Sequence, residues 1–153
     1  WPDTVVISVV EREPVLLVPS EQGFLALDAT GVYLKKVSTI SDVGLPLVTG
    51  LEVPDNVGPG QVIKDEKLAQ ALEFLSKTPE DKRHLIMELE VKDNNQYCVY
   101  THEGIEVRFG LAEEVEEKFE ILAQILKSGE LNWQKVKYID LNTPHIPVIK
   151  YQK

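Results

Sequence analysis

Two β-rich stretches bracket this chain and limit what it can become. Trp1-Pro2-Asp3-Thr4-Val5-Val6-Ile7-Ser8-Val9-Val10 opens it, and Tyr138-Ile139-Asp140-Leu141 followed by Pro147-Val148-Ile149-Lys150-Tyr151 closes it. β-branched and aromatic residues at this density fit a pleated, half-buried ladder, so each bracket predicts strand. The first has nothing before it and the last runs to the end, so both predict strands with a neighbour missing. A chain of that kind works through sheet edges rather than through a catalytic pocket.

At 153 residues, 43% of them hydrophobic, there is enough chain for one core and not for two. Sixteen Lys and Arg stand against 25 Asp and Glu, a formal charge of -9, which argues against a phosphate-backbone ligand and so against nucleic acid. Cys98 is the single cysteine, which rules out an internal disulfide or a multi-cysteine zinc cage. Within Gln96-Tyr97-Cys98-Val99-Tyr100 it reads as a small hydrophobe in a strand. No apolar run approaches the roughly 18 residues that a membrane span needs. The chain opens on Trp and not Met, which leads us to expect an upstream portion, a membrane anchor included.

Between the brackets the punctuation is regular. Thr4 to Val10 predicts a strand that bends at Glu11-Arg12-Glu13 and resumes over Pro14 to Val18. Phe24-Leu25-Ala26-Leu27 and Val32-Tyr33-Leu34, set off by Gly23 and Asp28-Ala29-Thr30-Gly31, continue a meander. Leu45-Pro46-Leu47-Val48-Thr49-Gly50 is apolar but broken by proline, and predicts a loop or edge segment on the core. Pro54 to Gly60 is a connector. From Asp65 to Ser76, Leu68, Ala71, Leu72 and Leu75 fall on one helical face, with Asp65 as N-cap and Pro79 past the end. Leu85 to Lys92, Gln96 to Thr101 and Ile105 to Phe109, joined by short polar turns, predict three antiparallel neighbours. A second helix, Ala112 to Ser128, carries Val115, Phe119, Leu122 and Leu126 as its stripe, with Ile121 and Ile125 widening it. Its acidic start, Glu113, Glu114, Glu116 and Glu117, suits the positive end of the helix dipole and reads as a solvated face, not a metal site. Strands then helix, hairpins, helix and strands predict an α+β fold, a mostly antiparallel sheet with two main helices packed on it.

The chemistry-bearing residues do not assemble. There is no Gly-x-Ser-x-Gly turn for a serine nucleophile, and His84, His102 and His145 lack the His-Glu-x-x-His spacing of a zinc enzyme. Gly58-Pro59-Gly60 is no phosphate loop, because proline removes a donor and no Lys-Ser or Lys-Thr follows. The residues therefore assign no catalytic group, metal or cofactor.

Five motifs, in order, resemble the FtsQ/DivIB family of bacterial cell-division proteins. Trp1-Pro2-Asp3-Thr4-Val5-x-Ile7-x-Val9-x-Glu11-Arg12-x-Pro14-Val15 is similar to the strand that closes that family's POTRA domain and runs into its β domain. Leu27-Asp28-x-x-Gly31-Val32 resembles its L-x-D-x-x-G turn, and Leu45-Pro46-Leu47-x-x-Gly50 its L-P-x-L-x-G. Val107-x-x-Gly110 leading to Lys118-Phe119-x-Ile121-Leu122 resembles the entry to the last long helix, and Tyr138-Ile139-Asp140-Leu141 the Y-V-D-L-R strand. The resemblance runs from Trp1 to Tyr151.

It implies that residues 1–18 are the final strand of a truncated POTRA domain and that 19–153 are the β domain. It also implies a single-pass protein of the cell membrane, anchored by an upstream span absent from this chain, with this part on the extracytoplasmic side at the division septum. Its role would be that of a non-enzymatic scaffold, binding FtsL and the DivIC/FtsB-type partner, with a septal penicillin-binding protein as a further contact, and helping to regulate septal peptidoglycan synthesis. Partner contact by β-augmentation then falls on Tyr138, Ile139, Asp140, Leu141, Val148, Ile149, Lys150 and Tyr151, with Asp140 and Lys150 setting register by charge. Two departures bear on it: Asn142 stands where the family often has Arg, and Pro144 and Pro147 cannot donate to a ladder, which predicts a shortened or bulged strand. The alternative is a secreted or surface protein-binding module of similar architecture unrelated to division.

Overall fold

The computed structural model describes residues 3–153, so Trp1 and Pro2 of the opening motif lie outside the described residues. A single nine-stranded sheet organises them, in the order β3-β2-β1-β4-β5-β6-β7-β8-β9. The strands are β1 (Pro14–Ser20), β2 (Gly23–Asp28), β3 (Tyr33–Val37), β4 (Leu47–Thr49), β5 (Glu88–Val91), β6 (Tyr97–Tyr100), β7 (Glu106–Gly110), β8 (Val136–Asp140) and β9 (Val148–Tyr151). Helix α1 (Glu66–Lys77) lies between β4 and β5, and α2 (Val115–Lys127) between β7 and β8.

Pairing is antiparallel except at β1–β4, β4–β5 and β7–β8. The last two are parallel joins, which need a long crossover, and the two helices supply it. β4, β5, β7 and β8 all point the same way, and both joins step along the sheet in the same sense. One crossover hand therefore puts both helices on the same face. Period-two alternation aims Leu16, Val18, Leu27, Val48, Leu89, Val99, Val107 and Ile139 at that face, where they are buried against Leu68, Ala71, Val115 and Leu122. Phe74 of α1 sits at the centre, 4.8 Å from the Tyr97 ring and 5.5 Å from that of Phe109, while Phe109 and Phe119 of α2 lie 4.7 Å apart.

Capping and turn chemistry hold the ends. The Asp65 carboxylate accepts from the Leu68 N–H at 2.8 Å, as its N-cap position predicts. Asp28 closes the β2–β3 turn, its Oδ1 accepting from Thr30 N, Thr30 Oγ1 and Val32 N at 2.8, 2.7 and 3.0 Å. Gly50 follows β4 with φ of +85°, and a Cβ there would collide with the carbonyl oxygen of Val91.

Two expectations from the sequence are corrected. Thr4 to Val10 forms no strand: residues 3–13 have no ladder, and Val5, Val6, Ile7, Val9 and Val10 are exposed. β-propensity makes a strand only where another strand accepts its backbone bonds, and among the described residues none lies alongside. Leu45 to Gly50 is not a loop or an edge: Leu47–Thr49 is β4, in the interior of the sheet between β1 and β5, with Val48 fully buried. Pro46 is compatible with this because it precedes the ladder, where its carbonyl accepts from Leu17 N at 2.9 Å and its missing donor is not needed.

Candidate functional site

The sheet ends on β9, whose inner side pairs with β8 and whose outer side has no neighbouring strand among the described residues. Gln152 N–H donates inward to the Lys135 carbonyl at 2.7 Å. Antiparallel alternation then turns the backbone groups of Lys150 and Val148 inward, and leaves the N–H and C=O of Ile149 and Tyr151 on the open side. Pro144 and Pro147 both fall before β9, so neither interrupts its four residues. Pro144 is buried, and Ile146 N donates to the Thr143 carbonyl at 3.0 Å, which turns the chain into the strand.

The eight residues expected at the partner site divide into three groups. Ile139 and Leu141 are fully buried in the core, and β8 itself is paired on both sides by β7 and β9. Tyr138 and Asp140 are half-buried on the face without helices. Val148, Lys150 and Tyr151 are exposed, and Ile149 packs partly against the core. Asp140 lies opposite Val148, and Lys150 opposite Tyr138, so the two charged residues are not cross-strand partners. Asp140 Oδ1 instead accepts from Asn142 N and Nδ2 at 2.9 and 2.8 Å, closing the end of β8. Asn142 also fills the space beside Gly110, where φ is +68° and a Cβ would meet its Oδ1.

Beyond Tyr138 the helix-free face is a polar mosaic. The Arg108 guanidinium lies 3.7 Å over the Tyr138 ring, and its Nε donates to Glu106 at 2.8 Å. Thr49 Oγ1 donates to Glu88 at 2.6 Å and Tyr100 OH to Glu90 at 3.1 Å. Burial, then Glu106, pushes the Cys98 thiol up to about 11, so it stays protonated and behaves as the apolar residue its sequence context predicts. Burial, then Cys98 and Glu90, raises Tyr100.

Sequence reasoning placed Lys118 in a motif but gave its side chain no role. It is buried in α2, donating from Nζ to the carbonyls of Phe109 at 2.8 Å and Leu111 at 3.2 Å. Its signal was its place three residues after Val115 and four before Leu122, inside the apolar stripe. The amine ties the end of β7 to α2, the crossover that delivers β8. Elsewhere the fold gathers donors: the carboxylates of Glu114 and Glu117 and the imidazole of His145 have ligand atoms within 4.8 Å of one another. No helix among the described residues is long and apolar enough to cross a membrane.

One open α+β sheet, helices on a single face and a terminal strand with a free side define the structural class. The profile of "Cell division protein FtsQ/DivIB, C-terminal" matches residues 17–142. The chain belongs to this FtsQ/DivIB family of cell-division proteins. Two relatives called cell division protein DivIB, from Clostridium botulinum strains Hall and Loch Maree, are each 26% identical over 157 aligned positions. The match covers 99% of this chain and 60% of each relative's length, so the chain spans about three fifths of those proteins. The major extracytoplasmic domain of the trans isomer of DivIB from Geobacillus stearothermophilus shares the fold, with a TM-score of 0.53, 19% identity, and coverage of 80% of this chain and all of that one.

Proposed function

We propose that this domain is a non-enzymatic docking scaffold of the division machinery, and that the open side of β9 pairs with a strand of a partner. The partners are FtsL and the DivIC/FtsB-type protein, with a septal penicillin-binding protein as a further contact, and the outcome is control of septal peptidoglycan synthesis. The full protein is anchored by one upstream span, with this domain outside the membrane at the septum. Residues 1–18 lead out of the last strand of a preceding POTRA domain, which gives the exposed valines between Val5 and Val10 the ladder they lack here, and Pro14 to Val18 then enter this domain's sheet as part of β1.

The observation that carries the reading is the unpaired outer side of β9, where Ile149 and Tyr151 present backbone donors and acceptors beside exposed Val148 and Lys150. Backbone pairing supplies affinity there, and alternate side chains supply choice of partner. Tyr138 and Asp140 then line the neighbouring strand, while Ile139 and Leu141 act from within by holding β8 in the core.

Tyr151→Pro removes one outward donor and leaves the inward bonds of Lys150 and Gln152 in place; Tyr151→Ala removes the side chain and keeps the donor. In titration calorimetry with the extracytoplasmic part of the DivIC-type partner, the proline variant should bind at least about tenfold more weakly, and the alanine variant within about threefold of wild type. Equal binding by the proline variant would reject β9 as the docking edge.

A further inference from the structure

We infer that Glu114, Glu117 and His145 form a site for a divalent transition-metal ion of the zinc type, joining the start of α2 to the loop that delivers β9. His145 lies 28 positions beyond Glu117 in the chain, and only the tertiary fold brings it to the two glutamates. Glu114 is the N-cap residue of α2, its backbone in the left-handed region at φ +52°, Glu117 lies in the first turn, and Val115 buried between them fixes that end of the helix to the core. His145 follows buried Pro144 inside the turn that Ile146 N closes on the Thr143 carbonyl, so its backbone is placed by the loop rather than by the imidazole.

The spacing suits a small tetrahedral ion. Bonds of about 2.0–2.1 Å to nitrogen and oxygen hold neighbouring donors about 3.3–3.4 Å apart. His145 Nδ1 and Glu117 Oε1 are already 3.3 Å apart, and the Glu114 carboxylate lies with them inside 4.8 Å. Glu114 makes no side-chain cap bond to α2 and is exposed, so rotation about its side chain closes the remaining gap. The dipole at the start of α2 opposes a cation by a fraction of a charge, against two full carboxylate charges. One imidazole nitrogen with two carboxylates selects zinc or its neighbours over magnesium or calcium, which take oxygen donors in higher number. Three protein donors leave a fourth position to water or to an incoming group. An ion held here would pin the loop before β9 to α2, a consequence separate from whether β9 docks a partner.

The test uses the chain without an affinity tag, titrated with zinc chloride in a non-chelating buffer, by calorimetry and by NMR of the histidine rings. One equivalent should bind, the ring signals of His145 should move while those of His84 and His102 stay, and millimolar magnesium should not compete. His145→Ala and Glu117→Gln should each weaken binding by about tenfold or more, Glu114→Gln should weaken it measurably, and His84→Ala should not change it. All substituted side chains but Glu117 are well exposed, and unchanged circular dichroism confirms folding of each variant. The inference is overturned if no saturable binding occurs below about one millimolar zinc. It is overturned equally if His145→Ala binds like wild type, or if His145→Ala weakens binding while Glu117→Gln does not, which would mark a lone surface histidine.

Discussion

Asp28→Asn tests the turn chemistry most directly. The carboxylate is 4% exposed and sits among three donors from its own turn, with Arg12 NH1 at 2.6 Å completing its partners. Burial acts to raise its pKa, but the bonds from Val32, Arg12 and Thr30 outweigh burial and lower it from the ordinary 3.8 to about 2. A carboxylate whose folded pKa is depressed stabilises the fold fully above its unfolded value and loses that contribution as pH falls through the folded one. The displacement corresponds to about 2 kcal/mol at neutral pH, with about half of it gone at pH 3. Arg12 contributes the smaller share, about 0.5 kcal/mol, because its side chain is 54% exposed and water screens the pair. Asparagine keeps the shape and one acceptor oxygen but not the charge. Urea unfolding of wild type and Asp28→Asn should therefore differ by about 2 kcal/mol at pH 7 and about 1 kcal/mol at pH 3, with Arg12→Ala costing far less at either pH. A difference that stays the same between the two pH values would refute the reasoning, because the loss would then come from shape and not from charge.

Two further substitutions probe the frame that holds the candidate edge. Lys118→Met keeps the bulk but strands the Phe109 and Leu111 carbonyls, and should cost about 1–3 kcal/mol by chemical denaturation. Burial lowers the Lys118 pKa against the pull of Glu114 and Glu113, so the folded state gives up its proton first; wild type should gain on the methionine variant as pH rises toward 10.5. Gly50→Ala places a methyl against the Val91 carbonyl at a positive φ, and should lower stability by about 2–4 kcal/mol, read as a fall in Tm.

Legibility followed the range of the interaction concerned. The N-cap at Asp65, the turns after Val91 and Thr101 and the stripe of α2 depend on residues within a few positions of one another, and each stands where the pattern puts it. The stripe of α1 omitted Phe74, which turned out to be the hub of the aromatic cluster, because periodicity counts apolar positions but does not rank their depth. Among the eight residues of the expected docking surface, sequence cannot separate Ile139 and Leu141, which serve the core, from Val148, Lys150 and Tyr151, which face solvent. Alternation gives two faces to a strand, and only its neighbours decide whether its backbone is free.

By itself the sequence determined the α+β class, the two helices, the antiparallel trio at the middle of the chain and the motif resemblance, because propensity, capping and turn geometry are local. The tertiary structure alone decided that Leu47–Thr49 is an interior strand, that Thr4 to Val10 has no ladder, that β9 ends the sheet and that His145 meets Glu117. A strand is completed by hydrogen-bond partners far away in the chain, and a donor cluster by side chains on different elements. Neither distance is encoded in any short window of residues.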